Sequence, residues 1–129
     1  MFHTPPEFAP LTPALRERIE KFREEHAGDP IGNVANHVLF EDDQVRIWEM
    51  KLEPGEHSDL HHHAHQYYLV VFSGDLVAGI PPKGSPVEPF VGKIPPNGNT
   101  VVVPKGGTEW ALNVGKKTYH EILIELKNT

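Results

Sequence analysis

The sequence predicts an all-β protein, a sandwich or barrel of short strands preceded by one helix. Three observations carry that prediction. From about residue 37 onward, polar and apolar side chains alternate at the period of an extended strand. Glycine and proline number 11 and 13 among 129 residues, which is high for a helical bundle and fits many tight turns. Only residues 13–27 carry apolar positions at helical spacing. A double-sheet jelly roll is one arrangement that satisfies such a pattern.

Taken in order, residues 1–12 hold three prolines and read as an extended arm. Residues 13–27, PALRERIEKFREEHA, read as a helix. Pro13 suits a first turn, Gly28-Asp29-Pro30 is a stop signal, and Leu15, Ile19 and Phe22 form one apolar stripe. Two strands follow, His37 to Glu41 and Gln44 to Glu53, separated by Asp42-Asp43. In the second, Arg46, Trp48, Met50 and Leu52 share a face. Further strands are expected at 59–63, 67–73, 75–80, 86–94, 99–103, 108–114 and 118–127. The clusters Ser73-Gly74-Asp75, Pro81-Pro82-Lys83-Gly84, Pro95-Pro96-Asn97-Gly98 and Pro104-Lys105-Gly106-Gly107 punctuate them. The length suits one domain, divided into an arm and helix over 1–36 and a barrel over 37–129.

Composition removes several functional classes. No run is long and apolar enough to span a bilayer as a helix, and MFHTPPEFAP has neither the basic start nor the apolar stretch of a secretory leader. Cysteine is absent, which excludes disulfides, iron–sulfur clusters, thiolate zinc sites and cysteine nucleophiles. A formal charge of −6 argues against a nucleic-acid partner.

Nine histidines are the anomaly, and five of them fall between positions 57 and 65: His57, His61, His62, His63 and His65. Clustered neutral imidazoles point to a metal. His61 and His63 are two apart, so a strand places both rings on one face and His62 on the other. A short turn through Ala64-His65-Gln66 is expected to bring the next strand back antiparallel, with Tyr67, Leu69 and Val71 facing the same interior. His65 competes for a ligand position from the turn, and His57 reads as a loop residue. His120 alternates with Ile122, Ile124 and Leu126, so it is expected on a buried face as a satisfied core histidine. Trp48, Tyr68 and Trp110 read as core or interface groups.

Two spaced patterns join these residues. The first runs Gly55, His61, His63, Tyr67, Gly74, and the second runs Gly98, Pro104, Gly106, Glu109, Asn113. Together they resemble the paired motifs of the cupin superfamily, G-x5-H-x-H-x3-4-E-x6-G and G-x5-P-x-G-x2-H-x3-N. The resemblance covers about residues 55–113. It implies a double-stranded β-helix, a jelly-roll barrel, with these positions ringing one divalent first-row metal ion: Fe(II), Mn(II), Ni(II) or Zn(II). The chain departs from the pattern twice. Tyr67 stands where the family has glutamate, and Glu109 where it has the last histidine. The carboxylate is therefore expected to have moved from 67 to 109. His61, His63 and Glu109 would form a two-histidine-one-carboxylate triad of the kind that holds non-haem Fe(II), with Glu109 entering the barrel opposite the histidines. Three roles are open to Tyr67: a hydrogen-bond donor beside the metal, a substrate contact able to move a proton, or a phenolate ligand. Asn113 is expected to support a turn or to line the pocket as a substrate contact.

The stretch HHHAHQYYLVV also resembles small single-domain cupins found near β-alanine degradation genes, which implies a cytoplasmic small-molecule role. The expected function is a metal-dependent enzyme, with an Fe(II) dioxygenase acting on a small keto or diketone-type substrate favoured over Lewis-acid isomerase or lyase chemistry. The competing reading is a non-catalytic cupin module that binds a small ligand or a metal. Small cupins pair through outer strands, so the resemblance implies a homodimer in which the proline-rich arm and first strands are exchanged.

Overall fold

The computed structural model describes residues 6–129. Residues 1–5 of the expected arm lie outside the described residues. The remaining arm contributes a three-residue strand, β1 (Glu7–Ala9), where the sequence predicts only an extended segment. Helix α1 spans Pro13–Glu25, within the expected 13–27. Thr12 caps it, its Oγ1 accepting from the Leu15 amide at 3.2 Å, and Pro13 occupies the first turn.

Nine strands follow: β2 (His37–Glu41), β3 (Val45–Leu52), β4 (His61–His62), β5 (Tyr67–Ser73), β6 (Leu76–Ile80), β7 (Phe90–Lys93), β8 (Asn99–Val103), β9 (Thr108–Asn113) and β10 (Tyr119–Leu126). They form two antiparallel five-stranded sheets, ordered β1-β7-β6-β9-β4 and β2-β3-β10-β5-β8. This is the all-β jelly-roll architecture that the sequence predicts. Two strands are shorter than expected. Pro86 and Pro89 lack the amides a ladder needs, so β7 starts only at Phe90. At 59–63 only His61 and His62 remain in regular pairing, flanked by an isolated bridge between Leu60 and Ile31.

Each sheet has a distinct outer face. On the first, Ala78 and Ile80 of β6, Val91 of β7, and Trp110 and Leu112 of β9 pack against Ile19 and Phe22 of α1. The apolar stripe of the helix thus seals one side of the barrel. Burying such side chains contributes roughly 1.5–3 kcal/mol each. The opposite faces meet in the interior, where Trp48, Met50, Leu52, Tyr67, Val71, Tyr119 and Leu123 cluster. Arg46 shares the Trp48 face as expected; its Nη1 lies 3.9 Å from Glu125 Oε1, and Trp48 Nε1 donates to the same buried carboxylate.

His120 is a correction. The buried face of β10 consists of Tyr119, Glu121, Leu123 and Glu125, not of His120 and its apolar neighbours. Strand β10 is central in its sheet and its outer Ile122, Ile124 and Leu126 are half-buried, so apolar alternation did not mark the inner side. His120 sits on the outer face, with Nε2 2.8 Å from Glu49 Oε2.

The motif glycines follow from backbone conformation. Gly55, Gly74, Gly98 and Gly106 take φ values of +88°, +135°, +77° and +113°, which disfavour a side chain. No helix among the described residues is long and apolar enough to cross a membrane.

Asn113 ties the loop that follows it to the end of β3. It is completely buried; its Nδ2 donates to the carbonyls of Leu52 and Lys117, both at 2.8 Å, and its Oδ1 accepts from Gly115 N at 2.9 Å. The alanine variant leaves these groups unsatisfied, each at a cost of about 1–3 kcal/mol. Asn113→Ala is expected to lower the denaturant midpoint by the equivalent of roughly 2–3 kcal/mol; a change below about 0.5 kcal/mol would show that the turn does not depend on it.

Candidate metal centre

Strand β4 lies directly beside β9, with His61 paired to Glu109 and His62 to Thr108. The pairing continues past the strand, since His63 N donates to Gly107 O and Gly106 N donates to His63 O, both at 2.8 Å. Directly paired residues on one face bring their side chains together. The imidazole of His61 and the carboxylate of Glu109 are therefore lateral neighbours, and His63 completes the group. One ligand atom from each of the three lies within 4.8 Å of the others. The expectation that Glu109 enters opposite the histidines is corrected: all three come from one sheet. The Ala64-His65-Gln66 turn is corrected too. It carries the chain across to the other sheet, where β5 pairs with β10 and β8, rather than folding it back on β4.

The donor groups suit a divalent first-row cation. His61 is 3% exposed, and its Nδ1 stands 2.8 Å from the carbonyl oxygen of Asp59. A carbonyl only accepts, so Nδ1 carries the proton and Nε2 keeps its lone pair. Burial, the largest influence, lowers the basicity of His61 and favours this neutral form. His63 is equally buried; its Nε2 is 3.7 Å from Glu109 Oε1, and its Nδ1 is buried with no hydrogen-bond partner. Two imidazoles and a carboxylate are a familiar set for non-haem Fe(II) and also suit Mn(II), Ni(II) and Zn(II). Room for the Glu109 carboxylate depends on Gly79 of β6, where a Cβ would stand 2.7 Å from Glu109 Oε2 and would also collide with the Phe90 ring.

The remaining histidines are elsewhere. His62 faces away, with Nδ1 2.7 Å from Thr108 Oγ1. His65 stands outside the ligand group. The His57 ring packs against Phe22 and His26 beside α1. Asn113 lines neither cavity at the centre. Its amide hydrogens are spent on backbone carbonyls, so the substrate-contact expectation is corrected to a structural one.

Tyr67 reaches the centre from β5 in the facing sheet. Its ring stacks on His63, with centroids 4.2 Å apart and planes at 18°. Burial, aided by the negative charges of Glu109 and Glu121, raises its phenol well above the ordinary value. It is held as a protonated donor, which disfavours the phenolate role.

Glu121 was missed by the sequence reading. It is 3% exposed and lines, with His61, His63, Tyr67 and Glu109, a small cavity of about 90 Å³. Tyr119 Oη donates to Glu121 Oε1 at 2.8 Å, while Oε2 is buried with no partner. Burial first, then repulsion from Glu109, outweigh the tyrosine hydrogen bond and push the Glu121 carboxyl up to about 8. The available signal was its register: Glu121 is two residues from Tyr119 and Leu123 on one strand face.

Comparison with known proteins agrees on the fold. No protein-family model matches the sequence, and no curated protein matches it significantly. Among solved structures, a cupin domain from Bordetella pertussis Tohama I superposes with a TM-score of 0.62 at 18% identity, over 78% of this chain and 99% of that one. A protein with a double-stranded β-helix domain from Klebsiella pneumoniae matches at a TM-score of 0.56 and 18% identity, over 81% and 86% of the two chains. A cupin superfamily protein from Desulfitobacterium hafniense matches at 0.51 and 17%, over 74% and 83%. The chain has the cupin fold.

The acid pair generates a pH prediction. The native Glu121 binds its proton more tightly than the unfolded chain, whose carboxyl has a value of 4.5. Stability of the chelator-treated protein is therefore expected to fall as pH rises from about 4.5 towards 8 through this group. Glu121→Gln is expected to flatten that part of the profile in denaturant titrations at successive pH values; an unaltered slope would mean that the carboxyl does not hold the proton.

Proposed function

We propose that the chain is a metal-dependent enzyme acting on an organic carbonyl compound of the keto or diketone type, with His61, His63 and Glu109 holding the ion and Fe(II) favoured. The observation that carries this reading is the convergence of these three side chains at a cavity of about 810 Å³ that His63 and Glu109 also line. A bound first-row ion would supply Lewis-acid polarisation and, as Fe(II), access to dioxygen chemistry.

The chain's own groups do the rest. Tyr67, fixed by its stack on His63, donates from its phenol to a substrate oxygen and is placed to pass a proton. Glu121, oriented by Tyr119, holds a second proton in the same interior. The hydrogen bond from His61 Nδ1 to Asp59 fixes the tautomer that ligation requires. With Mn(II), Ni(II) or Zn(II) the same groups serve isomerisation, lyase or hydration chemistry in place of dioxygenation. The setting of this reading is cytoplasmic, with neither a membrane nor a nucleic acid as partner.

Elemental analysis of untagged protein is expected to find a first-row metal near one equivalent. Glu109→Ala is expected to weaken its binding by more than about 100-fold, and Tyr67→Phe by less than the roughly 10–100-fold typical of a group hydrogen-bonded to a ligand, since Tyr67 only stacks on His63. Equal, small losses would remove Glu109 from the ligand set. Absence of metal after soaking would favour the alternative, a non-catalytic module binding a small ligand. Oxygen uptake with diketones and keto acids then separates dioxygenation from Lewis-acid reactions.

We also propose a homodimer through the outer face of the β2-β3-β10-β5-β8 sheet. That face has no helix packed on it and exposes Phe40, Tyr68, Phe72 and Val102 by 39–52%. Contiguous exposed apolar groups on a sheet favour a partner. Light scattering is expected to give twice the 14.5 kDa chain mass, and Phe72→Glu with Tyr68→Glu to halve it; a wild-type monomer at micromolar concentration would overturn the dimer.

A further inference from the structure

The larger cavity is much bigger than a small keto acid requires. At about 810 Å³ it lies near the top of the roughly 300–1,000 Å³ range that accommodates drug-sized ligands. Its walls are aliphatic: Leu69 and Val71 come from β5, Val101 and Val103 from β8, Val77 from β6, and Ile94 follows β7. Phe8 and Phe90 also line it. Their rings meet edge to face at 5.6 Å, and Phe90 reaches back to the triad end, where it also lines the smaller cavity.

Polar chemistry is unevenly distributed around this space. His63, Tyr67, Glu109 and Tyr119 line both the large cavity and the small one beside the triad, together with Leu69, Val77 and Phe90, so the polar groups mark the end where the two meet. The lining contains no arginine, and its single lysine, Lys93, is exposed. A phosphate or a second carboxylate on a ligand would find no bidentate partner along the walls. An aliphatic body would exchange water for valine, leucine and isoleucine side chains.

From this asymmetry we propose that the site takes an elongated, predominantly apolar ligand with one oxygen-bearing end. A carbonyl or enol head lies against the His61–His63–Glu109 end beside Tyr67. The uncharged alkyl or aryl body fills the larger cavity along Val71, Ile94, Val101 and Val103, which line that cavity alone. This inference rests on the metal-site reading for the head and on the cavity walls alone for the body. It replaces the short keto acid with a long-chain or aryl-substituted ketone or β-diketone.

A homologous series of 2,4-diones from pentanedione to nonanedione separates the two parts. Calorimetry is done on Mn(II)-loaded protein and on chelator-treated protein. Affinity is expected to rise about fourfold for each added methylene, and with the same slope in both forms. Mn(II) loading is expected to shift the whole series by a constant factor. Val101→Trp, which fills the cavity, should flatten the slope while leaving Mn(II) affinity unchanged, and Val103→Phe serves as a second variant with the same expected flattening if the first does not fold. A flat series, or tightest binding by pentanedione, would overturn the long-chain ligand even if Mn(II) still strengthens binding. A steep series unaffected by Mn(II) would uphold the apolar body and remove the metal-site reading instead.

Discussion

Between β4 and β9, His61 stands directly across from Glu109, and two backbone hydrogen bonds between His63 and the Gly106-Gly107 turn prolong that pairing. The rest of the centre depends on this short contact. Cross-strand partners on one face are forced to within about 5 Å at Cβ, so ring and carboxylate meet wherever the strands pair. Gly106, at φ +113°, lets the chain turn into β9 at this register. Gly79 on the neighbouring strand leaves the space that Glu109 occupies. A one-residue slip would send His61 and His63 towards α1 and bring His62 inside.

The facing sheet carries the buried phenols and a second acid. Tyr67, Tyr119 and Glu121 all project inward from β5 and β10, across from the triad. Two carboxyls share this weakly polar interior, and both cannot readily be ionised. Glu121 is the more deeply buried, and it is the one whose affinity for a proton rises. Glu121 is thereby a protonated acid held by Tyr119.

The two sheets also divide the outside of the molecule. Helix α1 covers the sheet that carries the triad, with Ile19 and Phe22 packed over Trp110 and Ile80. Trp110 Nε1 in turn donates to Asp29 just beyond the helix, at 3.2 Å. The other sheet keeps its outer aromatic and aliphatic groups exposed, and there His120 and His37 flank the Glu49 carboxylate at 2.8 and 3.3 Å. The scaffold behind the triad is thus sealed by its own chain, and the scaffold behind Tyr67 and Glu121 keeps its outer side chains exposed.

By itself the sequence determined the strand-rich architecture, the helix and the inward direction of His61, His63 and Tyr67. Those features are local: alternation sets the face of a strand, glycine sets a left-handed turn, and a proline in the first turn with a Gly-Asp-Pro stop bounds a helix. The motif spacing also brought Glu109 into consideration. Only the tertiary structure decided which sheet each residue occupies. The turn at 64–66 could have closed a hairpin, but it crosses between sheets, so the carboxylate is beside the histidines and the phenol is opposite. The assignment of faces in β10 was likewise tertiary. Its outer Ile122, Ile124 and Leu126 are only half-buried, while Glu125 is buried where Trp48 of β3 reaches it and Glu121 where Tyr119 donates to it along the same face. The same holds for Asn113, whose three backbone partners are brought together only when the loop that follows it meets the end of β3. Alternation fixes which side chains share a side of a strand, but which side becomes the interior depends on what packs against it.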